Sequence, residues 1–370
     1  MKTPKVKTAL VLGALGLLLG LLVASPPSWR PASPEARSPR PFVAAASAET
    51  PPRSAPAPLQ SKVEQLAQAF GDEVGVAILD LQEGWIVQVR GDRPAPQQSV
   101  SKLWVAIAVL DAADRGELDL EAPVLFTDAD RSVFFQPIVG ELEDGLYVTT
   151  SRDLLRRAIV TSDNAANDRL IGGLAGARDA AEVIGHKRLT VRIGAEEREL
   201  QAQIAGLRWR PNYGHGAALK QARAQLPLSV RRQARDAYLA APMDGASPAA
   251  VVEALARLHR GELLSPAATQ ELLRWMQAST TGPRRLRAGL PPDWRIAHKT
   301  GTGQDLEGGS IGINDVGLLM APDGRTYAVA VMIPYTRQPV RARLALMQAI
   351  AAAVVEQWRR DGETPRLVEG

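Results

Sequence analysis

VGVAILD, at residues 74–80, and WIVQVR, at residues 85–90, decide how this chain is read. Both are apolar runs rich in β-branched residues, and the four residues between them include Gly84, so they read as two strands joined by a short turn. Strand character returns only near the other end, at residues 294–297, 314–321 and 326–333. Between these ends, from about Ser99 to Trp275, apolar residues recur at helical spacing, with residues 152–160 and 248–260 among the helical stretches. Residues 341–358 close the chain as an amphipathic helix. Strands at both ends with helices between them predict one mixed α/β unit. Its sheet is completed by chain ends that meet, the helical middle forms a second lobe, and a cleft lies where the lobes join.

Composition narrows the classes open to such a chain. It has 370 residues, 45% hydrophobic, 23% charged and 5% aromatic, enough for one large or two ordinary domains. Collagen, coiled coil and disorder throughout are excluded. The absence of cysteine removes disulfide scaffolds, thiolate zinc sites, a cysteine nucleophile and a lipid-anchored cysteine. The net charge of +4 sits at the front: residues 1–60 carry +5 and residues 61–370 carry −1. The folded part therefore lacks the basic footprint that a nucleic acid partner requires.

The first residues read as targeting. Lys2, Lys5 and Lys7 precede a charge-free apolar run at residues 9–24, shorter than a spanning helix needs. Residues 1–24 are thus expected to be a signal peptide or an uncleaved N-terminal anchor, placing the protein in the periplasm or outside the cell. Residues 25–60 hold ten prolines among Ala and Ser and are expected to form a disordered linker. Residues 61–365 remain for the catalytic domain.

Three short motifs carry chemistry. Ser99-Val100-Ser101-Lys102 opens the helical run LWVAIAVLDAADRG, which puts the lysine one turn from Ser99 on the same face. A neutral Lys102 would accept the Ser99 proton and a charged one would steady the alkoxide, but the pair is equally readable as a helix cap with a lysine reaching for water. Ser162-Asp163-Asn164 interrupts apolar helices 60 residues after Lys102, as a cap or as a hydroxyl and amide offered to a substrate. Lys299-Thr300-Gly301-Thr302-Gly303 ends the strand begun by Trp294, as a hairpin turn or as an anion site that a ligand approaches closely.

In this order, S-x-x-K, S-D-N and K-T-G are the signature of the penicillin-recognising serine enzymes. Residues 272–303 (LLRWMQASTTGPRRLRAGLPPDWRIAHKTGTG), together with GVAILDLQEGW, AVLDAADRGELDLEAPV and SRDLLRRAIVTSDNAAN, strongly resemble class A β-lactamases, and the resemblance covers roughly residues 60–360. It implies a β-lactamase/transpeptidase-like fold, with an antiparallel sheet flanked by helices, an all-helical lobe and the active site at their junction. It also implies a serine hydrolase that opens β-lactams through an acyl-enzyme, working as a monomer without cofactor or metal. By the same resemblance Ser99 is the nucleophile, Lys102 its proton acceptor and Ser162 the relay to the departing nitrogen. Asn164 would hold the side-chain amide of the substrate. Lys299 and Thr300 would take its carboxylate, and the Ser99 and Thr302 amides, beyond Gly301, would form the oxyanion hole. Which of Lys102 and the deacylating glutamate takes the first proton is left open.

Deacylation in class A enzymes uses a glutamate in an E-x-x-L-N pattern. Here Glu197-Arg198-Glu199-Leu200-Gln201 stands 33 residues past Asn164 and reads E-x-x-L-Q, within an acidic run that also includes Glu196. Glu197 is expected to be the base. His298 before K-T-G, the long loop at 304–313 and Asp168 resemble the divergent branch that includes PER-type enzymes. Between Lys299 and Asn314 there is no arginine, which makes Arg285 a candidate carboxylate partner, with a plain surface arginine in the trio Arg284, Arg285, Arg287 as the other reading.

One stretch, about Ala202 to Ala241, has no parallel in the resemblance. It carries seven Lys/Arg against Asp236, a net of +6. Read plainly it is a solvated helix pairing with acidic neighbours; read more sharply it roofs the cleft and selects anionic substrates or cell-wall polymer. Residues 308–312 match G-x-S-x-G, but no histidine follows His298, so an α/β-hydrolase triad cannot be completed. His186, His215 and His259 lack metal-ligand spacing. Two other functions share the three motifs: a D-alanyl-D-alanine peptidase, and a penicillin-binding sensor that stays acylated.

Overall fold

The computed structural model describes residues 54–174 and 177–363. The expected leader and most of the Pro/Ala-rich tract lie outside them. The tract ends earlier than its composition suggests, because helix α1 (Ala57–Phe70) claims its last four residues. Pro56 caps that helix and Pro58 sits in its first turn, where a missing N–H costs nothing, and Gly71 closes it in the left-handed conformation (φ 81°).

Strands β1 (Gly75–Asp80) and β2 (Ile86–Val89) pair antiparallel, Val76 opposite Val89 and Leu79 opposite Ile86. The Asp80 carboxylate fixes their turn by accepting from the Gln82 and Glu83 amides. The chain then makes the short strand β3 (Ala95–Pro96) and a 3-10 turn at Gln98–Ser101 before entering α2 (Lys102–Asp114). The long helical middle expected from spacing is interrupted. Strands β4 (Pro123–Thr127) and β5 (Leu146–Thr150) form a hairpin, and β3 pairs with β6 (Gly245–Ala246) far along the chain. PVLFT and LYVTT have the β-branched and aromatic content of strands, but each is only five residues long, too short for periodicity to reveal.

The helices α3 (Ser151–Val160), α4 (Asn164–Gly173), α5 (Ala177–His186) and α6 (Glu197–Ile204) come next, followed by α7 (Ala218–Gln225) and α8 (Leu228–Ala240) from the extra segment. After β6 come α9 (Pro248–His259) and α10 (Pro266–Gln277), each with a serine cap and Pro in its first turn. The chain returns through β7 (Arg295–Gly301), the two-residue β8 (Asp305–Leu306), β9 (Gly309–Met320) and β10 (Thr326–Thr336) to α11 (Val340–Glu363).

The sheet order is β2-β1-β10-β9-β7, antiparallel throughout, with β8 added on β9. The chain ends do meet: β1 pairs with β10, Ala77 opposite Ala330. Strand alternation sends Ala77, Ala330 and Met332 into a core shared with α2, α9 and α10, while Val76, Ile78, Val329 and Val331 face a second core under α1 and α11. Both faces are covered, so the central strands read as unbroken apolar runs. Helix α2 is buried almost all round, which places its first turn deep inside the molecule.

Candidate active site

Ser99 lies on the 3-10 turn just before α2, and its position is enforced by the residues ahead of it. Gln98 has φ 53°, a left-handed conformation that a non-glycine residue keeps only when surroundings hold it. They do so at three points. Its amide donates to Asp244 Oδ2 (2.6 Å), its Nε2 donates to the Tyr238 hydroxyl (2.7 Å), and its Oε1 accepts from Gln201 Nε2 (2.8 Å). Tyr238 in turn donates to Asp244 Oδ1. The Gln97 side chain is tied to the Arg192 and Asp244 carbonyls and accepts from Trp104.

Lys102, one turn on, is fully buried. Its Nζ donates to Ser99 Oγ (3.0 Å), the Ser162 carbonyl (3.1 Å) and Asn164 Oδ1 (2.5 Å), filling all three donor positions of an ammonium. Glu197 Oε1 stands 3.4 Å from the same nitrogen and 3.5 Å from Ser99 Oγ. Ser162, at φ 64°, is the second strained non-glycine residue of the site, and Lys299 Nζ donates to its hydroxyl at 2.8 Å. Burial, with Lys102 close behind it, holds Lys299 well below the ordinary lysine range. Two lysines thus flank one serine each, Lys102 on Ser99 and Lys299 on Ser162.

Glu197 begins α6, and a buried carboxylate pins that end of the helix. Asp168 on α4 accepts from the Glu197 amide (2.6 Å), the Arg198 amide (3.1 Å) and the Ser132 hydroxyl (2.6 Å). Burial, reinforced by the Glu197 charge, pushes Asp168 up to about 7. Asp244, buried behind Gln98, is raised to about 6 for the same reasons. Gln201, where the family pattern has asparagine, donates to both Gln98 Oε1 and Glu197 Oε2 (3.3 Å). Gln304 from the loop after β7 donates to Gln201 Oε1 (2.9 Å), completing a chain of three amides that orients the Glu197 carboxylate. Glu196 pairs with Arg198 and Glu199 is exposed, so only Glu197 of the acidic run reaches Ser99.

Strand β7 forms the opposite wall. Its Gly301 is required by proximity: a Cβ there would lie 2.3 Å from the Gln97 carbonyl. His298 is buried beside Asp315 at 2.8 Å, and Asp315 also accepts from the Leu286 amide, fixing the loop that carries Arg285. Arg285 leaves the surface trio and donates to the carbonyls of Gly301 (3.0 Å) and Asn314 (2.5 Å) and to Thr302 Oγ1 (2.6 Å).

These residues converge on a cavity of about 650 Å³. Ser99, Ser162, Asn164, Glu197, Arg285, Thr300 and Thr302 line it, while Lys102 and Lys299 lie buried beneath. Sequence reading missed Gln98 and Gln304, whose amides carry no chemistry that a motif would flag. It also missed Phe134 and Phe135, which stand about half exposed on the wall. The extra segment pairs with acidic neighbours at one part and borders the cavity at another. Arg232 and Arg235 pair outside with Glu307 and Asp236, whereas Leu219, Lys220 and Arg223 of α7 close one end of the cavity.

Residues 58–358 match the family model described as the beta-lactamase enzyme family, and the chain belongs to that family. Within it, this is a class A serine enzyme of the PER-like branch. The chain is 27% identical over 297 residues to the extended-spectrum β-lactamase PER-1 of Pseudomonas aeruginosa, covering 79% of this chain and 85% of that one. It is 30% identical over 295 residues to the carbapenem-hydrolysing β-lactamase KPC of Klebsiella oxytoca, covering 78% and 84%. The crystal structure of a β-lactamase from Chitinophaga pinensis superposes with a TM-score of 0.67 at 27% identity, over 81% of this chain and 99% of that one.

Proposed function

We propose that this cavity hydrolyses β-lactams through an acyl-enzyme on Ser99. The observation that carries the reading is the triangle of Ser99 Oγ, Lys102 Nζ and Glu197 Oε1, with sides of 3.0, 3.4 and 3.5 Å. Ser99 Oγ attacks the lactam carbonyl and its proton leaves toward the Lys102–Glu197 pair. The Ser99 and Thr302 amides receive the oxyanion. The C–N bond then breaks and the nitrogen takes the Ser162 proton. The Lys299 ammonium, which donates to Ser162 Oγ and which burial makes readier to give a proton up, replaces it, and the proton taken from Ser99 returns to Lys299, leaving Glu197 ionised. Lys299, Thr300 and Arg285 hold the substrate carboxylate, and Asn164 holds the side-chain amide. Water deprotonated by Glu197, itself aimed by Gln201, adds to the ester; the ester C–O bond breaks, Ser99 Oγ takes the proton back from Glu197, and the opened product leaves. Side chains, two backbone amides and water take part in this scheme, and one chain supplies every protein group.

We further propose that residues 1–24 direct export, as a cleaved leader or a retained anchor, and that the proline-rich tract spaces the domain from it in the periplasm or outside. The reaction is tested by nitrocefin turnover set against labelling with a fluorescent penicillin, in wild type and Ser99→Ala. Turnover lost in the variant with the fold intact supports the reading. Stable labelling of the wild type without turnover replaces it with a peptidase or an acylated sensor, and a Ser99→Ala enzyme near wild-type rate moves suspicion to Ser101.

A further inference from the structure

The extra segment places cations where a substrate side chain would end. Leu219 packs with Val133, Ala202, Ala205 and Tyr213, which sets α7 between the segment carrying Phe135 and the helix carrying Glu197. From there Arg223 Nη1 reaches the Asp305 carbonyl (2.9 Å) on the β7 side, so α7 closes the cavity at its Glu197 end. Arg223 Nε and Nη2 are shielded from solvent yet have no hydrogen-bond partner, and Arg231 Nε is in the same condition. Lys220, exposed on the same helix, lines the cavity one turn earlier. The acids within reach offset them only in part: Asp305 attracts Arg223 but is outweighed by burial and by Arg231, its carboxylate accepts from Ser310, and Glu197 is bound to Lys102 and Gln201. Two further insert arginines, Arg232 and Arg235, are matched by Glu307 and Asp236. A guanidinium with two unmet donors is incomplete without an anion, and a carboxylate is its natural fork-shaped partner.

We propose that Lys220 and Arg223 form an anion subsite that favours β-lactams carrying a second carboxylate on the acyl side chain. This rests on the reading of the cavity as the site of β-lactam hydrolysis. The ring carboxylate is accounted for at Lys299, Thr300 and Arg285, and the acyl amide at Asn164. The remainder of the side chain leaves toward the Glu197 end of the cavity, where α7 stands.

The test uses benzylpenicillin and carbenicillin, which differ by one carboxylate on the side-chain α carbon, with the whole enzyme. In Lys220→Gln/Arg223→Gln the ratio of kcat/KM for carbenicillin to that for benzylpenicillin falls about tenfold or more, chiefly through KM, because one charge-assisted contact is worth that much. Lys220→Glu, at an exposed position that leaves packing intact, lowers the ratio in the same direction. The wild-type ratio also declines between about 50 and about 500 mM salt, and the double variant's does not. A ratio unchanged in both variants, or equal losses on both penicillins, overturns the subsite. A wild type that turns over neither penicillin nor nitrocefin overturns the hydrolase reading, and the subsite falls with it. A wild type active on benzylpenicillin with no discrimination in the variants removes the subsite alone.

Discussion

Glu197 makes the difference between a protein that is acylated and one that turns over. Its Oε1 faces Ser99 and Lys102, and its Oε2 is held by Gln201, so the carboxylate is aimed by an amide one methylene longer than the asparagine of the family pattern. Glu197→Gln keeps the shape and removes the base. Acylation by a penicillin should survive while deacylation slows by about 10²–10⁴-fold, the usual contribution of a positioned base. Intact-mass spectrometry should then show a long-lived adduct on Ser99; an adduct lifetime equal to wild type would place water activation elsewhere. Arg285 belongs to the same scale. Its guanidinium is fixed by two carbonyls and Thr302, with its charge toward the cavity wall. Arg285→Ala should raise KM for penicillins by the loss of about 1.5–3 kcal/mol of charge-assisted binding, with a smaller change in kcat. An unchanged KM would reduce Arg285 to a brace for β7.

Helix α6 shows what an element contributes and how it fails. Its first turn is fastened by the Asp168 carboxylate, whose pKa near 7 arises because burial and Glu197 both oppose its ionisation. The folded value lies above the unfolded one, so this group stabilises the fold most below about pH 4, and that contribution is lost as pH rises through about 7. Asp168→Asn removes the titration and should flatten the fall in stability between about pH 4 and 7, measured by urea unfolding at several pH values. A slope identical to wild type would assign the pH dependence to Asp244 and other groups. The family resemblance located Glu197, since E-x-x-L-Q stands at about the distance from S-D-N that class A enzymes show, and it singled out Asp168 as a departure; the helix that carries Glu197 was not marked off by itself. It could not find the Gln98–Gln201–Gln304 relay, because hydrogen bonds between residues about 100 positions apart leave no local trace. Strands β4 and β5 were hidden for the opposite reason: each is so short that its pattern merges with the helices on either side.

For the whole molecule, the strands at 74–80 and 326–333 were legible because a sheet covered on both faces needs continuous apolar runs, and they predicted the pairing of the chain ends that β1 and β10 make. The N-terminal boundary was less legible, since Pro56 and Pro58 look like tether residues and yet start a helix. Helix α1 buries Leu59, Val63, Ala67 and Phe70 in the core it shares with α11 and the outer face of the sheet. Burying three such large side chains is worth about 5–9 kcal/mol in sum, comparable to the whole stability of an ordinary domain. A chain beginning at Ser54 should therefore melt within about 2 °C of one beginning at Ser25 and turn over nitrocefin at the same rate. A chain beginning at Asp72 keeps every site residue but uncovers the apolar face under α1, and its melting point should fall by about 10 °C or more, or the protein should aggregate. Equal melting points for the chains starting at Ser54 and Asp72 would mean that α1 rests on the core without supporting it, and the domain would then begin at β1.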